Sequence, residues 1–415
     1  MSTNAKEGYK LTFVARIASV SVKLLFKLLL TYFLSKELFA SFSVWLVKIN
    51  FIALLTGLGL NISLMYYAKD NNFSSFKYLK NNVQFFILSF PIILLFVNLF
   101  FGSFLEAIFL TVGVFTLNVF QSINASLLVR NKYIQYFLLN LFYLIPYIIL
   151  LIISFFDKNI GENYLKLLYI SGGFFIVISY FFKDFSSYKL RIFNISKDFN
   201  YFIYGIKGLA LNFLGQALYV SDLFIMEYFK SKNLADYVIA GSFVQINWFI
   251  SNSLGTTLFS RIVQQKKSNF VKNEIIIISQ ISLVFNIIFT FLFAIFGNIL
   301  ILALNENYIY VYDLTLILLC GSHGVAIYKL MSRKFAAENK WSFLYTRLGA
   351  IVLLNLILNI FLVDSYGAYG AALSSLLCYL ICGLLMINTK EFSYSSLLIP
   401  NITKLYRVFN SKKND

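Results

Sequence analysis

The chain has 415 residues, of which 59% are hydrophobic and only 13% are charged, and its mean hydropathy is +0.76. Soluble proteins carry about 25% charged residues, so this composition excludes an ordinary soluble protein and predicts an integral membrane protein. The formal net charge of +17 needs no nucleic acid partner, and we expect none, because basic loops beside an anionic lipid leaflet account for it.

A membrane-spanning helix needs about 20 apolar residues. On this rule the sequence predicts an all-α integral membrane protein with about twelve transmembrane helices. The predicted segments are roughly 11–34, 38–66, 82–101, 104–128, 133–155, 164–182, 201–226, 235–260, 275–296, 309–330, 341–363 and 367–388.

The basic residues predict the orientation of these segments. Of the 35 Lys and Arg residues, 23 fall in alternate loops and the two tails, whereas 5 fall in the intervening loops. Because cytoplasmic loops collect Lys and Arg, we expect a multi-pass membrane protein with both termini in the cytoplasm.

Basic residues interrupt the first predicted segment, at Arg16, Lys23 and Lys27. Their spacings are close to two and three helical turns, so they share one face of the helix. Lys48 lies at a similar depth in the second segment. A lysine or arginine at mid-bilayer costs about 2.5–3.5 kcal/mol on insertion scales. We therefore expect this face to border a wet, positively charged cavity that binds an anion.

Two structural alternatives stay open for these cations. An ion pair needs a carboxylate at the same depth, but Asp222, Glu227 and Asp313 are expected near outer helix ends and Glu274 near an inner one. Snorkelling toward the membrane interface suits Arg16 and Lys329, but it does not suit Lys23.

The second half of the chain carries fewer cations and more neutral polar groups. Lys207 and Arg347 enter near inner helix ends and are predicted to join the cationic cavity. Neutral polar side chains of the seventh and eighth segments are predicted to form a second, hydroxyl-binding wall, at Asn212, Gln216, Gln245 and Asn247. The alternative is interhelical hydrogen bonding, a common role for amides in membranes.

A weak internal repeat supports two halves of six helices each. The sequence SKELFASFSVWLVKIN begins at Ser35, and SKNLADYVIAGSFVQIN begins at Ser231. Both follow the first predicted helix of their half, so the halves are parallel repeats. We expect an N-terminal lobe over 1–190, a C-terminal lobe over 191–390 and a cytoplasmic tail over 391–415.

These features together resemble the polysaccharide flippases, the O-antigen (Wzx-type) transporters of the multidrug/oligosaccharidyl-lipid/polysaccharide (MOP) exporter superfamily. The resemblance is carried by the charged first helix, the two Ser-Lys-x-Leu segments, GLGLNISLMY at Gly57 and YGAYGAALSSLLCYL at Tyr366. It implies a MATE-like fold, in which two pseudo-symmetric six-helix lobes surround a central cavity that opens to either side in turn.

The resemblance also implies the substrate. This would be an undecaprenyl-pyrophosphate-linked oligosaccharide, an O-antigen or capsule repeat unit. The protein would move it from the inner to the outer leaflet of the bacterial cytoplasmic (inner) membrane by alternating access. Diphosphate suits a basic cavity because charge-assisted hydrogen bonds are strong. The polymerase and other glycan assembly proteins would be partners.

Two other functions are alternatives to this one. A multidrug or cation antiporter of the same superfamily should place carboxylates in its cavity, whereas the predicted cavity is basic. A membrane polysaccharide polymerase would need catalytic groups and a sizeable outer loop. The chain has one histidine and three cysteines without a CxxC pair, so we expect no enzyme activity, cofactor or metal. Asp222 and Glu227 are candidates for ion coupling.

Overall fold

The computed structural model describes residues 14, 18, 21–67, 75–101, 103–130, 132–156, 161–185, 199–265, 268–387, 392 and 397. Helices dominate this part of the chain. In chain order they are α1 (21–33), α2 (Lys36–Thr56), α3 (Leu60–Tyr67), α4 (Ser75–Phe101), α5 (Phe104–Val129), α6 (Tyr133–Phe142), α7 (Ile145–Phe156), α8 (Glu162–Phe185), α9 (Phe199–Tyr228), α10 (Leu234–Gln265), α11 (Ser268–Leu304), α12 (Val311–Ala337) and α13 (Trp341–Ile387), with a short 3-10 helix at Glu306–Tyr308.

The predicted all-α membrane fold is confirmed. Eight helical segments of the described residues are long and apolar enough to cross a membrane. Two predicted spans are each divided by a turn. The second becomes α2 and α3, with Leu58 and Gly59 in the left-handed region between them (φ 45° and 63°). The fifth becomes α6 and α7, where Pro146 in the first turn of α7 supplies no backbone N–H.

Helix α13 is a helical hairpin that contains the last two predicted spans. Its one residue outside helical geometry is Gly367, with φ 57°. On either side, Asn355 contacts Ser374 at 3.4 Å, and a Cβ on Gly370 would lie 1.9 Å from the Leu362 carbonyl oxygen. The pair nearer the turn joins residues 362 and 370, and the pair farther from it joins residues 355 and 374, so the two arms run antiparallel. The small residues of GAYGAA therefore allow the arms to pack closely.

The chain divides into two compact units, Met1–Gln216 and Ala217–Asp415, and the division falls inside α9. The sequence places the lobe boundary at residue 190, in the loop before that helix. The first half of α9 belongs to the first unit because it packs closely on α3. A Cβ on Gly205 would lie 2.6 Å from the Leu58 carbonyl oxygen, and the Tyr201 hydroxyl donates to the Leu60 carbonyl at 2.8 Å.

In the second unit, α12 packs against α10 and α11, against the second arm of the α13 hairpin through Gly321 and Gly324, and against the first arm through Phe335 and Phe343. The closest crossing joins Gly324 of α12 to Gly383 of α13, where a Cβ on Gly383 would lie 2.6 Å from the Gly324 Cα. Without a hydrophobic force between helices in lipid, such close backbone contact is a main source of helix association. It also leaves α12 largely surrounded by protein.

Candidate substrate-binding site

The predicted cations occupy several helices of the structure. Arg16 lies outside the described residues. Lys23 and Lys27 lie one turn apart on α1, Lys48 lies on α2, and Lys207 lies on the first half of α9. The side chains of all four described lysines are half-buried. Their joint action on one anion stays a prediction.

Lys23 lies against aromatic rings. Its ammonium nitrogen is 5.9 Å from the centroid of the Tyr143 ring and 6.0 Å from that of Tyr147. Among the described Asp and Glu residues, none forms an ion pair with Lys23. Cation–π contacts of this kind stabilise a charge by about 0.5–2 kcal/mol. The rings carry no net charge, so the local charge stays positive.

The rings beside Lys23 belong to a tyrosine cluster, which we define as Tyr143, Tyr147 and Tyr169. The hydroxyls of Tyr147 and Tyr169 are 3.2 Å apart, and Tyr143 stacks on Phe120 of α5 with centroids 3.8 Å apart. Phe26 of α1 meets Tyr147 edge-on at 4.7 Å. The α6–α7 break orients the first two tyrosines toward α1. Aromatic contacts of these geometries fix ring positions.

A second lysine of the first unit has a different environment. Lys166 of α8 is 5% exposed, and its ammonium is 2.7 Å from Glu106 and 2.8 Å from Glu162. It also lies 5.8 Å from the centroid of the Trp45 ring. Two carboxylates on one ammonium outweigh its charge, so this group is a structural ion cluster rather than an anion site.

The structure assigns Arg347 a structural contact. Its guanidinium lies 3.9 Å above the Phe343 ring, and one of its nitrogens donates to the Leu385 carbonyl oxygen. Arg347 is in the first arm of the hairpin and Leu385 is in the second, so this contact joins the two arms. Its predicted part in substrate binding is not needed to explain its position.

The predicted neutral wall divides into buried and exposed members. Asn247 is fully buried, and its amide donates to the Ser322 hydroxyl at 2.9 Å. This contact is the interhelical hydrogen bonding that the sequence leaves open as the alternative. Gln216 and Gln245 are exposed, and Asn212 is half-buried, so these three side chains have surface available to a ligand or to lipid.

Asp222 is also buried, with 1% of its surface exposed. Its carboxylate accepts hydrogen bonds from the Tyr237 hydroxyl, from the Ser375 hydroxyl at 3.1 Å and from the Leu223 backbone N–H at 2.8 Å. These donors are neutral, and among described residues no ion pair forms at Asp222. Glu227 lies half-buried near the end of the same helix.

Polar residues continue beyond Asp222 into the α13 hairpin. Ser221 donates to the Asn355 side chain at 2.8 Å, and Asn359 donates to the same oxygen at 3.0 Å. All three are buried. The sequence identified Asp222 but not these partners, because serines and asparagines are frequent throughout the apolar segments. No local pattern marks the ones that meet in space.

No protein-family model and no curated protein matches the sequence. Solved structures do match. The match to the structure titled "Lipid II flippase MurJ, inward closed conformation" covers 98% of this chain and 93% of the MurJ chain. Its TM-score is 0.68, and the two sequences are 18% identical. The match to the eukaryotic MATE transporter AtDTX14 covers 97% of this chain and 98% of the AtDTX14 chain. Its TM-score is 0.70, and the sequences are 14% identical.

A mutant of the MATE transporter VcmN from Vibrio cholerae also matches, covering 93% of this chain and 95% of its own with a TM-score of 0.68 and 15% identity. At these sequence identities the likeness establishes the fold. The MATE-like architecture predicted from the sequence is confirmed, and the chain has the fold that MurJ and the MATE transporters share.

Proposed function

We propose that the protein is a Wzx-type flippase of the MOP superfamily. Its substrate is an undecaprenyl-pyrophosphate-linked oligosaccharide, an O-antigen or capsule repeat unit, which it moves from the inner to the outer leaflet of the bacterial cytoplasmic membrane by alternating access. The observation that carries this proposal is Lys23, a half-buried cation on α1 that lies against two tyrosine rings. Within the part of the chain that the structure describes, no carboxylate pairs with it.

A diphosphate is the natural ligand for such a cation. It brings about two negative charges, and hydrogen bonds between an ammonium and a phosphate are roughly twice as strong as those between neutral groups. Lys27 lies one turn from Lys23 on the same helix face. The polar head of the substrate cannot cross hydrocarbon unaided, so a cationic, water-accessible route is what its transfer requires. The fold shared with MurJ supports transport rather than catalysis.

The experiment is depletion of the protein in its source strain. Lipid-linked oligosaccharide should accumulate, and a membrane-impermeant lectin applied to spheroplasts should fail to detect it on the outer leaflet until the protein is restored. Surface polysaccharide should fall in parallel, because the polymerase proposed as a partner receives substrate at the outer leaflet. Outer-leaflet oligosaccharide at the normal level in depleted cells would refute the proposal.

Asp222 supports a second candidate, a cation antiporter of the same superfamily. Its buried carboxylate accepts hydrogen bonds from neutral donors, and such a carboxylate can bind a proton or a small cation. In the flippase proposal the same residue couples transport to an ion gradient. The two candidates differ in their cargo, so uptake of cationic dyes into inverted vesicles separates them. Dye uptake at the rate of known exporters would favour the antiporter.

The coupling role of Asp222 has its own test. Asp222→Asn keeps the shape of the side chain but removes its charge, so transport should lose its response to an imposed proton or sodium gradient. Leaflet transfer is measured in proteoliposomes with each gradient in turn. Glu227→Gln is the matched variant on the same helix, and it identifies which of the two acidic residues couples. Unchanged gradient dependence in Asp222→Asn would exclude that residue.

A further inference from the structure

Lys329 of α12 lies in an aromatic site of the second unit. Its ammonium is 4.8 Å from the centroid of the Tyr219 ring and 5.0 Å from that of the Trp248 ring. Tyr379 of α13 closes the group, 5.7 Å from Trp248 and 6.1 Å from Tyr219. Three aromatic residues, from α9, α10 and α13, thus form the site, and two of them contact the ammonium. Both distances are shorter than those at Lys23.

The position of this ammonium argues against snorkelling, the role that the sequence suggests for Lys329. Side chains on a helix tilt toward its N-terminus, which for Lys329 is away from the nearer end of α12. Trp248 lies near the middle of the 32-residue helix α10. The ammonium at its ring is therefore at mid-helix depth. A lysine at an interface would extend the opposite way.

The charge of Lys329 is not balanced within the described structure, where no Asp or Glu forms an ion pair with it. Arg333 follows one turn later on the same face of α12. Gly255 of α10 faces this pair of residues, and a Cβ there would lie 3.7 Å from the Arg333 side chain. Two cations one turn apart on the same helix face can both contact a single anion.

We propose that Lys329 and Arg333 form an anion-binding position in the second unit, with the diphosphate of a lipid-linked substrate as its ligand. Tyr219 and Trp248 hold the Lys329 ammonium in place and leave its charge available. This inference rests on the proposed flippase function and extends it, because it adds a diphosphate contact in the second unit to the one proposed at Lys23.

The test is direct binding to the purified full-length protein, measured by calorimetry in detergent. The probes are geranyl diphosphate, inorganic pyrophosphate and the uronic acid disaccharide digalacturonate. Lys329→Met should weaken geranyl diphosphate binding by about tenfold or more. Lys329→Arg should stay within about threefold of the parent. Lys334→Met is the matched control on the same helix, since Lys334 is ion-paired with Glu338 at 2.9 Å. The Lys334→Met protein should bind geranyl diphosphate with the same affinity as the parent.

The outcomes separate this inference from the function on which it rests. A parent protein that binds neither diphosphate refutes both. A parent that binds geranyl diphosphate while folded Lys329→Met binds it equally well refutes the inference alone. If Lys329→Met weakens the binding of digalacturonate but not of the diphosphates, the position binds a sugar carboxylate. That result would also overturn the inference. If Lys329→Met does not fold, Arg333→Gln replaces it, and unchanged affinity in that variant is the refuting result.

Discussion

Two lysines of the first unit, Lys23 and Lys166, are stabilised in opposite ways. Lys23 has tyrosine rings at 5.9 and 6.0 Å, whereas Lys166 has two carboxylates at 2.7 and 2.8 Å. The same aromatic group connects them, since Tyr169 of the tyrosine cluster meets Trp45 at 5.9 Å and Trp45 lies beneath Lys166. Lys166 is the more buried of the two, and their partners differ in charge, with neutral rings at Lys23 and carboxylates at Lys166.

This difference indicates which cation can serve a ligand. Lys166 already pairs with Glu106 and Glu162, so a ligand anion could bind its ammonium only by displacing both carboxylates. That displacement costs free energy, because it leaves the carboxylates without their cation. An aromatic face stabilises an ammonium by about 0.5–2 kcal/mol without neutralising it. The ammonium of Lys23 can therefore accept a phosphate without losing its existing contacts.

Reversing the charge of Lys23 should have the largest effect. Lys23→Glu should insert into the membrane but abolish glycan export, because it opposes the substrate diphosphate. Lys23→Ala should reduce export roughly ten- to a hundredfold, which corresponds to losing one charge-assisted contact worth about 1.5–3 kcal/mol. Lys23→Arg should retain partial export. Membrane abundance and surface polysaccharide are measured side by side for the three variants.

The competing structural explanation makes the opposite prediction for the same variants. If Lys23 has a carboxylate partner, Lys23→Ala should lower membrane abundance, and removal of that carboxylate should restore it. Full export by a well-expressed Lys23→Glu protein would defeat the cationic-site proposal.

A carboxylate placed beside Lys23 should form an internal ion pair with it, like the ion pairs of Lys166. Tyr147→Glu places an acid where the ring now lies, so an internal ion pair would compete with the substrate for the ammonium. We expect export to fall by about tenfold or more at normal abundance. Tyr147→Gln, which has the same size without the charge, is the control. Equal export by the Glu and Gln variants would show that the free charge of Lys23 is unimportant.

Removing Lys166 should affect stability rather than transport. Lys166→Met leaves Glu106 and Glu162 without their shared cation, but both are partly exposed, so we expect a cost of about 1–3 kcal/mol, below that of a fully buried pair. The melting temperature should fall by a few degrees, while export per molecule stays within about twofold. Adding Glu106→Gln and Glu162→Gln should recover stability. A selective loss of export would place Lys166 in the transport route.

The sequence predicts the helices and the unusual cations, because apolar length and insertion cost are local properties. It identifies Lys23 as an unsatisfied charge. It does not predict the tyrosine cluster, whose members come from separate helices and are hidden among 28 tyrosines. The sequence also suggests that Lys329 snorkels to the interface, because its distance from the helix end allows it and the aromatic residues around it come from other helices. Only the packing of α9 and α10 shows which way the side chain turns.

The smallest effect should come from the Tyr147 hydroxyl. Tyr147→Phe removes the 3.2 Å contact with Tyr169 but keeps the ring beside Lys23. A neutral hydrogen bond contributes about 0.5–1.5 kcal/mol to stability, so the melting temperature should fall slightly and export should change by less than about twofold.

Tyr147→Leu is the matched variant because it removes the ring as well as the hydroxyl, and export should then fall by severalfold, in line with a lost cation–π contact. Export and abundance are compared for the two variants in one strain. If the Phe variant lost as much export as the Leu variant, the hydroxyl rather than the ring face would be the group that positions Lys23. The difference between Lys23 and Lys166 would then lie in their hydrogen bonds and not in the charge of their partners.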